Sequence, residues 1–442
     1  MKRIVLLMVC AASPLSAQLG RVAVPATPAQ QACPTAGLTL PAGFCATVFA
    51  DGAAGARHVA VAPNGDVFVN MNPPASGRNP AASVRSSGGT ILALRDTDRD
   101  GKADMQRRFG TGGGTGIAIQ GNSLYATSGN SIVRYRIPSG SLTPTGRPDT
   151  IVTDLPMTGH RSHNFVLVGG RAMYVNIGSE SNACQQQNRQ AGSPGIDPCT
   201  ELDSRAGIWV FDANRLHQRV ADGRRYATGI RNAVALTRNP FDGQLYATVH
   251  GRDQLHDNWP ALYTTTENAE NPGEILIRIE RGADYGWPYC YHDMVTGSLV
   301  LAPEYGGDKR TVGQCSTKAP ALMAFPAHWA PNGMAFYTSS TFPSQYRGGA
   351  FIAFHGSWNR APLPQAGFRV VFAPFRGNRP AGTFTTFADG FMTSSPAADR
   401  VTAGPGVHRP VGLAESPDGA LYITDDAGGT IYKVVYRRTR RN

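Results

Sequence analysis

The chain has 442 residues, 51 of them glycine and 32 proline, and a net charge of +11. With no long stretch of clean helical periodicity, that glycine and proline density favours an all-β chain of short strands and turns over a helical bundle or a parallel sheet. The lysines and arginines are scattered apart from the terminal RRTRRN, which argues against a nucleic-acid surface and for sites that hold small anions.

Residues 1–17 combine Lys2 and Arg3, the apolar run IVLLMVCAA and the segment Ser-Pro-Leu-Ser-Ala before Gln18. This is the pattern of a secretory signal, and the apolar run is too short to span a bilayer. Residues 18–37 read as a polar leader, 38–436 as one domain and 437–442 as a basic tail. A chain of this length ordinarily divides, but a repeat architecture grows by adding units around one axis. No later segment resembles a membrane helix, so a periplasmic or secreted protein without a membrane span is expected.

After a first strand within LTLPAGFCATVFA, one phrase recurs six times: an apolar run, a turn centred on Gly, Asn or Asp, and a second β-rich run. It appears as VAVAPNGDVFVN from Val59, IAIQGNSLYATS from Ile117 and FVLVGGRAMYVNIG from Phe165. It returns as VALTRNPFDGQLYATVHG from Val234, MAFYTSSTFPSQYRGGAFIAFHG from Met334 and VGLAESPDGALYITDD from Val411. Each reads as a hairpin, because Asn-Gly and Asp-Gly supply the positive φ angles of a tight turn. The spacing leaves room for two further strands per phrase, which predicts a six-bladed β-propeller. The final run TIYKVVYR then pairs with the first strand, so that the two ends of the chain close one blade.

Between the first two phrases, DTDRDGKAD places Asp96, Asp98, Asp100 and Asp104 at positions one, three, five and nine of an EF-hand-like loop, with Gly101 at the turn. Position twelve is Arg107, not Glu, which leaves a Ca²⁺ loop and a solvated β-turn both open. Between the fourth and fifth phrases, DQLHDNWPALYTTTENAENPG and ADYGWPYCYHD read as long functional loops. Once Cys10 is removed with the signal, the remaining cysteines form three neighbouring couples, Cys33 with Cys45, Cys184 with Cys199 and Cys290 with Cys315. Each couple brackets a loop, so sequential disulfides are expected. The absence of Cys-x-x-Cys argues against a thiolate metal site or an attached haem.

Polar residues that the β pattern does not require flank the phrases. His160, in MTGHRSHN, precedes the third; Arg231 and Asn232, in GIRN, precede the fourth; Gly251, Arg252 and Asp253 follow it. His328 and Trp329 precede the fifth, His355, Trp358 and Arg360 in HGSWNR follow it, and Arg409 precedes the sixth. Blades converge on a central channel, so equivalent positions before each inner strand face one pocket.

The segments GIRN, DYGWPYCY, APNGMAFY, HGSWNR and RPVGLAESPDGALYITDD, with LPAGF near the start, together resemble the soluble quinoprotein sugar dehydrogenases, in particular the glucose/sorbosone dehydrogenase family that uses pyrroloquinoline quinone (PQQ). The similarity runs from about Leu38 to Tyr436 and rests on the order and spacing of the motifs. It implies a six-bladed propeller. It also implies that His160 takes the proton from the substrate hydroxyl while hydride passes to the quinone carbon C5, work that suits an imidazole. His163 stands where the family often has an Arg.

The same resemblance makes Arg231, Asn232 and Arg409 cofactor contacts, since guanidinium groups bind the carboxylates of PQQ in bidentate fashion. Arg252, His355, Trp358 and Arg360 belong to the same candidate set. No Lys stands in AFHGSWNR where glucose-oxidising members carry one, which leaves His355 or Arg360 as its replacement. Trp329, Trp358 and Tyr285 either wall the ring and sugar or pack within blades. The family's bridging Ca²⁺ is held by carbonyls that match Gly251 and Arg252; some members add a Glu where this chain has Val249, which makes Asp253 a further candidate.

The leading reading is therefore a PQQ- and Ca²⁺-dependent oxidoreductase acting on an aldose, sorbosone or related sugar, with an unidentified electron acceptor and an open oligomeric state. The alternatives are a Ca²⁺-dependent lactonase-type hydrolase, which needs carboxylates around a central metal, and a non-catalytic binding propeller. Fold alone does not choose among them.

Overall fold

In the computed structural model, each of the six recurring phrases forms the first two strands, paired antiparallel, of a sheet of its own. The described residues are 33–72, 89–392 and 407–437. The expected signal sequence, most of the leader and most of the basic tail lie outside them. The first phrase shows how the local sequence sets the hairpin. Gly65, at φ +92°, turns the chain so that Val59 pairs with Val69 and Val61 with Val67, a backbone that glycine adopts without strain.

The innermost strands of the six sheets are Ala56–Val61, Ile117–Gln120, Phe165–Val168, Leu236–Arg238, Pro331–Phe336 and Pro410–Glu415. All six line one central cavity of about 250 Å³, through residues that include His58, Ile117, Asn164, Leu236, Gly333 and Leu413. The ring closes as the sequence predicts. Phe44–Ala50 is the outer strand of the sixth blade and pairs antiparallel with Ile431–Tyr436, Thr47 opposite Lys433 and Phe44 opposite Tyr436.

Neighbouring sheets pack face to face, so the core is a ring of interfaces. Phe49, Val69, Leu94, Tyr422 and Ile431 fill the interface between the first and sixth blades, and Phe44, Phe351, Phe387, Leu421 and Val434 that between the fifth and sixth. Each such side chain contributes roughly 1.5–3 kcal/mol on burial. The closing strand Phe44–Ala50 supplies residues to both interfaces, which ties ring closure to the core. Residues from Pro34 onward form one compact unit.

The two segments read as loops between the fourth and fifth phrases have structure of their own. Helix Thr265–Glu270 starts at a capping box: Thr264 Oγ1 accepts from the Glu267 backbone N–H at 3.1 Å, and Glu267 Oε2 accepts from the Thr264 N–H at 2.8 Å. Cys290–Asp293 and Ser298–Leu301 form a separate hairpin. Disulfides Cys184–Cys199 and Cys290–Cys315 are present as expected, and Cys33 and Cys45 are each disulfide-bonded.

Candidate active site

The first and second strands of each blade are antiparallel, so the residues before the first strand and those after the second lie at the same end of the channel. That end gathers Arg57, at the start of the first inner strand, and residues before the other first strands, namely His160, Arg231, Asn232 and Arg409, with residues after the second strands, namely Ser179, His250, Gly251, Asp253, His355 and Asp426. Among the sequence candidates, His160, Arg231, Asn232, Gly251, Asp253, His355 and Arg409 meet here.

Two guanidinium clusters build the mouth. In the first, buried Arg231 donates to the Gly251 carbonyl at 2.6 Å, to Asn182 Oδ1 at 2.9 Å and to Asp253 Oδ2 at 3.0 Å. Asp253 also accepts from Arg189 at 3.0 Å. Burial pushes the Asp253 carboxyl up, but Arg231, His328 and Arg189 outweigh it and hold the group below the usual carboxylate range. In the second cluster, Asp426 accepts from Arg57 Nη1 and from His355 Nε2, both at 2.8 Å. Arg409 donates to the carbonyls of His355, at 2.9 Å, and Gly356, at 2.7 Å. Burial lowers the pKa of both Arg231 and Arg409, against the opposing charges of Asp253 and Asp426 respectively.

His160 stands at the edge of the first cluster. Its Nδ1 lies 3.1 Å from the Ser179 carbonyl and 3.0 Å from Ser179 Oγ, which itself donates to the Ser181 carbonyl at 2.7 Å. A carbonyl only accepts, so the ring hydrogen is on Nδ1 and the lone pair on Nε2, which makes no hydrogen bond among the described residues. Burial, then the charge of Arg231, hold its pKa at about 3, so the imidazole is neutral. Gly178 permits this placement: a Cβ there would lie 2.6 Å from the His160 Cβ and 3.1 Å from Asn232 Oδ1. Asn232 donates to His250 Nδ1 at 3.3 Å, while His250 Nε2 donates to the Pro331 carbonyl at 3.1 Å. Burial lowers His58 and His250 to about 4 each.

Of the other candidates, Arg252 and Tyr285 line a cavity together with Arg231, His250 and Gly251, and the rest fall elsewhere. The Arg252 side chain is 3 % exposed and paired with Glu304, 0 % exposed, so it serves as wall structure; its Nη2 has no partner and is buried. Arg360 donates to the carbonyls of Ala269, at 2.9 Å, and Ala327, at 3.1 Å, and pins loops together. Of the two proposed replacements for the family's Lys, the structure brings only His355 to the mouth. Trp358 is 55 % exposed. Trp329 packs edge-on against Phe354, and Tyr285 belongs to the core between the third and fourth blades. His163 is buried with its ring nitrogens at 3.2 Å from the Asn176 carbonyl and 2.7 Å from that of Pro156, a structural role. Asp96, Asp98 and Asp104 come together in their own loop, and Asp100 is outside that group.

Arg57, His58, His250, Asp426, Asn182 and Glu274 are residues of the mouth that the sequence reading passed over. Glu274 accepts from the Gly251 N–H at 2.9 Å and the Ala330 N–H at 3.1 Å, while burial pushes its carboxyl up to about 8. The Gly251 carbonyl, expected to hold Ca²⁺, faces the Arg231 guanidinium. Without an intervening anion that arrangement does not fit a dication. The donor set fits an anion with several carboxylates, such as PQQ.

A family model described as TrAA12-like matches residues 38–437. A PQQ-dependent pyranose dehydrogenase of Coprinopsis cinerea is 27 % identical over 358 residues, covering 72 % of this chain and 45 % of that protein. The chain spans less than half the length of the curated relatives it matches. The holo PQQ domain of the Coprinopsis cinerea pyranose dehydrogenase superposes with a TM-score of 0.70 at 19 % identity, covering 92 % of this chain and 99 % of that one. The Trichoderma reesei enzyme of carbohydrate-active family AA12, in its calcium structure, gives 0.69 at 20 % identity, covering 91 % and 98 %. At these identities the superpositions establish the fold.

Proposed function

The chain belongs to the TrAA12-like family, and from that premise we propose that it is a PQQ-dependent oxidoreductase of sugars, with its cofactor at the Arg- and His-lined end of the channel. The observation that carries this reading is the pair of buried guanidinium clusters facing one mouth, with a neutral His160 between strand ends and its Nε2 unbonded. PQQ, when bound, supplies the acceptor for a hydride. Arg231 and Arg409 hold its carboxylates and Arg57 adds to the same field, because charge-assisted bonds in a desolvated site orient an anion strongly.

His160 takes the proton from the sugar hydroxyl at Nε2. Its Nδ1–H bond to Ser179 fixes the tautomer and leaves the lone pair for that task. A pKa of about 3 makes the free imidazole a weak base. Carboxylates brought into the mouth offset the charge of Arg231 and raise that basicity, so base strength is tied to cofactor loading. Asn232 orients His250, and Glu274 fixes the Gly251 loop through its backbone N–H.

No proton or hydride step is assigned to a central Ca²⁺, since Gly251 already faces a guanidinium. A lactonase-type hydrolase would need free carboxylates at the mouth, whereas Asp253 and Asp426 are both bonded by arginine and both oxygens of Glu274 accept from backbone N–H groups. The disulfides favour an oxidising, extracytosolic compartment. Among the described residues no helix is long and apolar enough to cross a membrane. The test is to titrate PQQ into the purified protein by absorbance, then measure dye reduction with a panel of aldoses and pyranoses. Saturable binding with sugar-dependent reduction is expected; no binding overturns the reading.

A further inference from the structure

The DTDRDGKAD loop joins strands Ile91–Arg95 and Met105–Phe109, the outer pair of the first blade. One oxygen from each of Asp96, Asp98 and Asp104 lies within 4.8 Å of the others, the one such group of potential metal ligands among the described residues. Clustered surface carboxylates alone would carry no inference. The second observation is the state of Asp96. Its side chain is only 10 % exposed. Oδ2 accepts from the Gly101 N–H at 3.0 Å, but Oδ1 is buried with no hydrogen-bond partner. Lys433 Nζ lies 3.9 Å from Oδ2 and closer, at 3.3 Å, to Asp418, so it leaves Oδ1 unanswered. A buried carboxylate oxygen without a donor is unfavourable, and a cation held among three carboxylates removes that penalty.

We propose that this loop binds one Ca²⁺ through Asp96, Asp98 and Asp104, and that the ion clamps the first blade to the strand that closes the ring. The ligand set is all oxygen at positions one, three and nine, with Gly101 at the turn, which suits a hard cation of flexible coordination. Arg107 at position twelve removes the bidentate Glu, so affinity falls in the range of extracellular modules, about 10⁻⁴–10⁻³ M.

The clamp follows from two hydrogen bonds. The Ala103 N–H donates to the Phe49 carbonyl at 2.8 Å, and Thr47 Oγ1 donates to the Gly101 carbonyl at 3.0 Å. Thr47 and Phe49 lie on Phe44–Ala50, the closing strand of the sixth blade. Ordering the loop therefore orders the seam where the ring closes. This site is independent of the cofactor reading.

The test titrates CaCl₂ calorimetrically into the full chain without PQQ and follows the thermal midpoint with and without EGTA. The comparison protein carries Asp98→Asn and Asp104→Asn. An amide oxygen at either position can still accept the backbone N–H bonds these side chains now take, from Asp100 and Thr97. Wild type is expected to bind one Ca²⁺ that the double variant does not, with a midpoint gain of roughly 3 °C at about 100 times the dissociation constant, absent in the variant. Any central Ca²⁺ persists in the variant, so the two sites are told apart by stoichiometry. Equal binding in the two proteins, or no saturable binding in wild type, overturns the proposal. Should the double variant fail to fold, Asp98→Asn alone decides by the same readout. Retained PQQ-dependent turnover in Asp98→Asn is expected, and its loss overturns the assignment of a purely structural ion.

Discussion

The Arg231 guanidinium lies 3.0 Å from the Asp253 carboxylate while bonding the Gly251 carbonyl at 2.6 Å. One carboxylate thus serves both buried Arg231 and the more exposed Arg189, Asp426 is bonded by Arg57 while Arg409 meets only carbonyls, and the mouth keeps more guanidinium than ionised carboxylate, a surplus that an anionic ligand would neutralise. Replacing Arg231 or Arg409 by Ala is expected to weaken PQQ affinity about 10- to 100-fold, the scale of one lost charge-assisted bond. An absorbance titration of PQQ checks this, and unchanged affinity in both variants would remove the arginines from the cofactor site.

His160→Gln is expected to separate chemistry from binding. Turnover should fall by about 10²- to 10⁴-fold, while PQQ affinity stays close to that of wild type because the guanidinium clusters are intact. Near-normal turnover at saturating PQQ would falsify the assignment of His160 as base.

Glu304→Ala should destabilise the fold without any direct change at the mouth. Glu304 pairs with Arg252 and accepts from Trp259 Nε1 at 2.9 Å, all inside the wall formed by the two structured insertions. Leaving a guanidinium buried without its partner costs about 3–5 kcal/mol. Urea unfolding monitored by tryptophan fluorescence reads that loss directly, and a midpoint equal to wild type would show the pair to be dispensable.

Stability should fall on acidification below about pH 6.5. His58 and His250 are held near 4 in the folded protein by burial, against about 6.5 when unfolded. Between those values the unfolded chain binds more protons, so stability is full above about pH 6.5 and is lost as pH falls towards 4, by about 1.4 kcal/mol per pH unit for each group. Thermal midpoints across that window test the sign. His250→Gln should flatten the slope; an unchanged slope would assign the acid sensitivity to other groups.

Most of the mouth was within reach of a positional argument. Arg57 and His58 stand at the start of the first inner strand, the same end of the blade at which Arg231 and Asn232 precede the fourth. Asp426 ends the sixth phrase much as Gly251 ends the fourth. Applying one rule to every blade would have found them. Asn182 carries no such signal: it reaches Arg231 across 49 residues of chain, from the connection between strands Ala172–Ile177 and Gly207–Asp212.

Hairpins, their number and the closing strand pair were legible in the sequence because alternation and Gly-centred turns are local properties, decided within a dozen residues. The ring then brings the polar ends of its blades to one channel, so position before or after a strand predicts a place at the mouth. What each side chain does there is decided by partners far along the chain. Arg252 neighbours Gly251 in sequence yet is withdrawn by Glu304, 52 residues on, and Arg360 is pinned to the Ala269 carbonyl, 91 residues away. Only tertiary structure shows which groups each guanidinium meets, Asp253 and the Gly251 carbonyl for Arg231 and Glu304 for Arg252, because a charge taken out of water must find whichever partner the packing supplies.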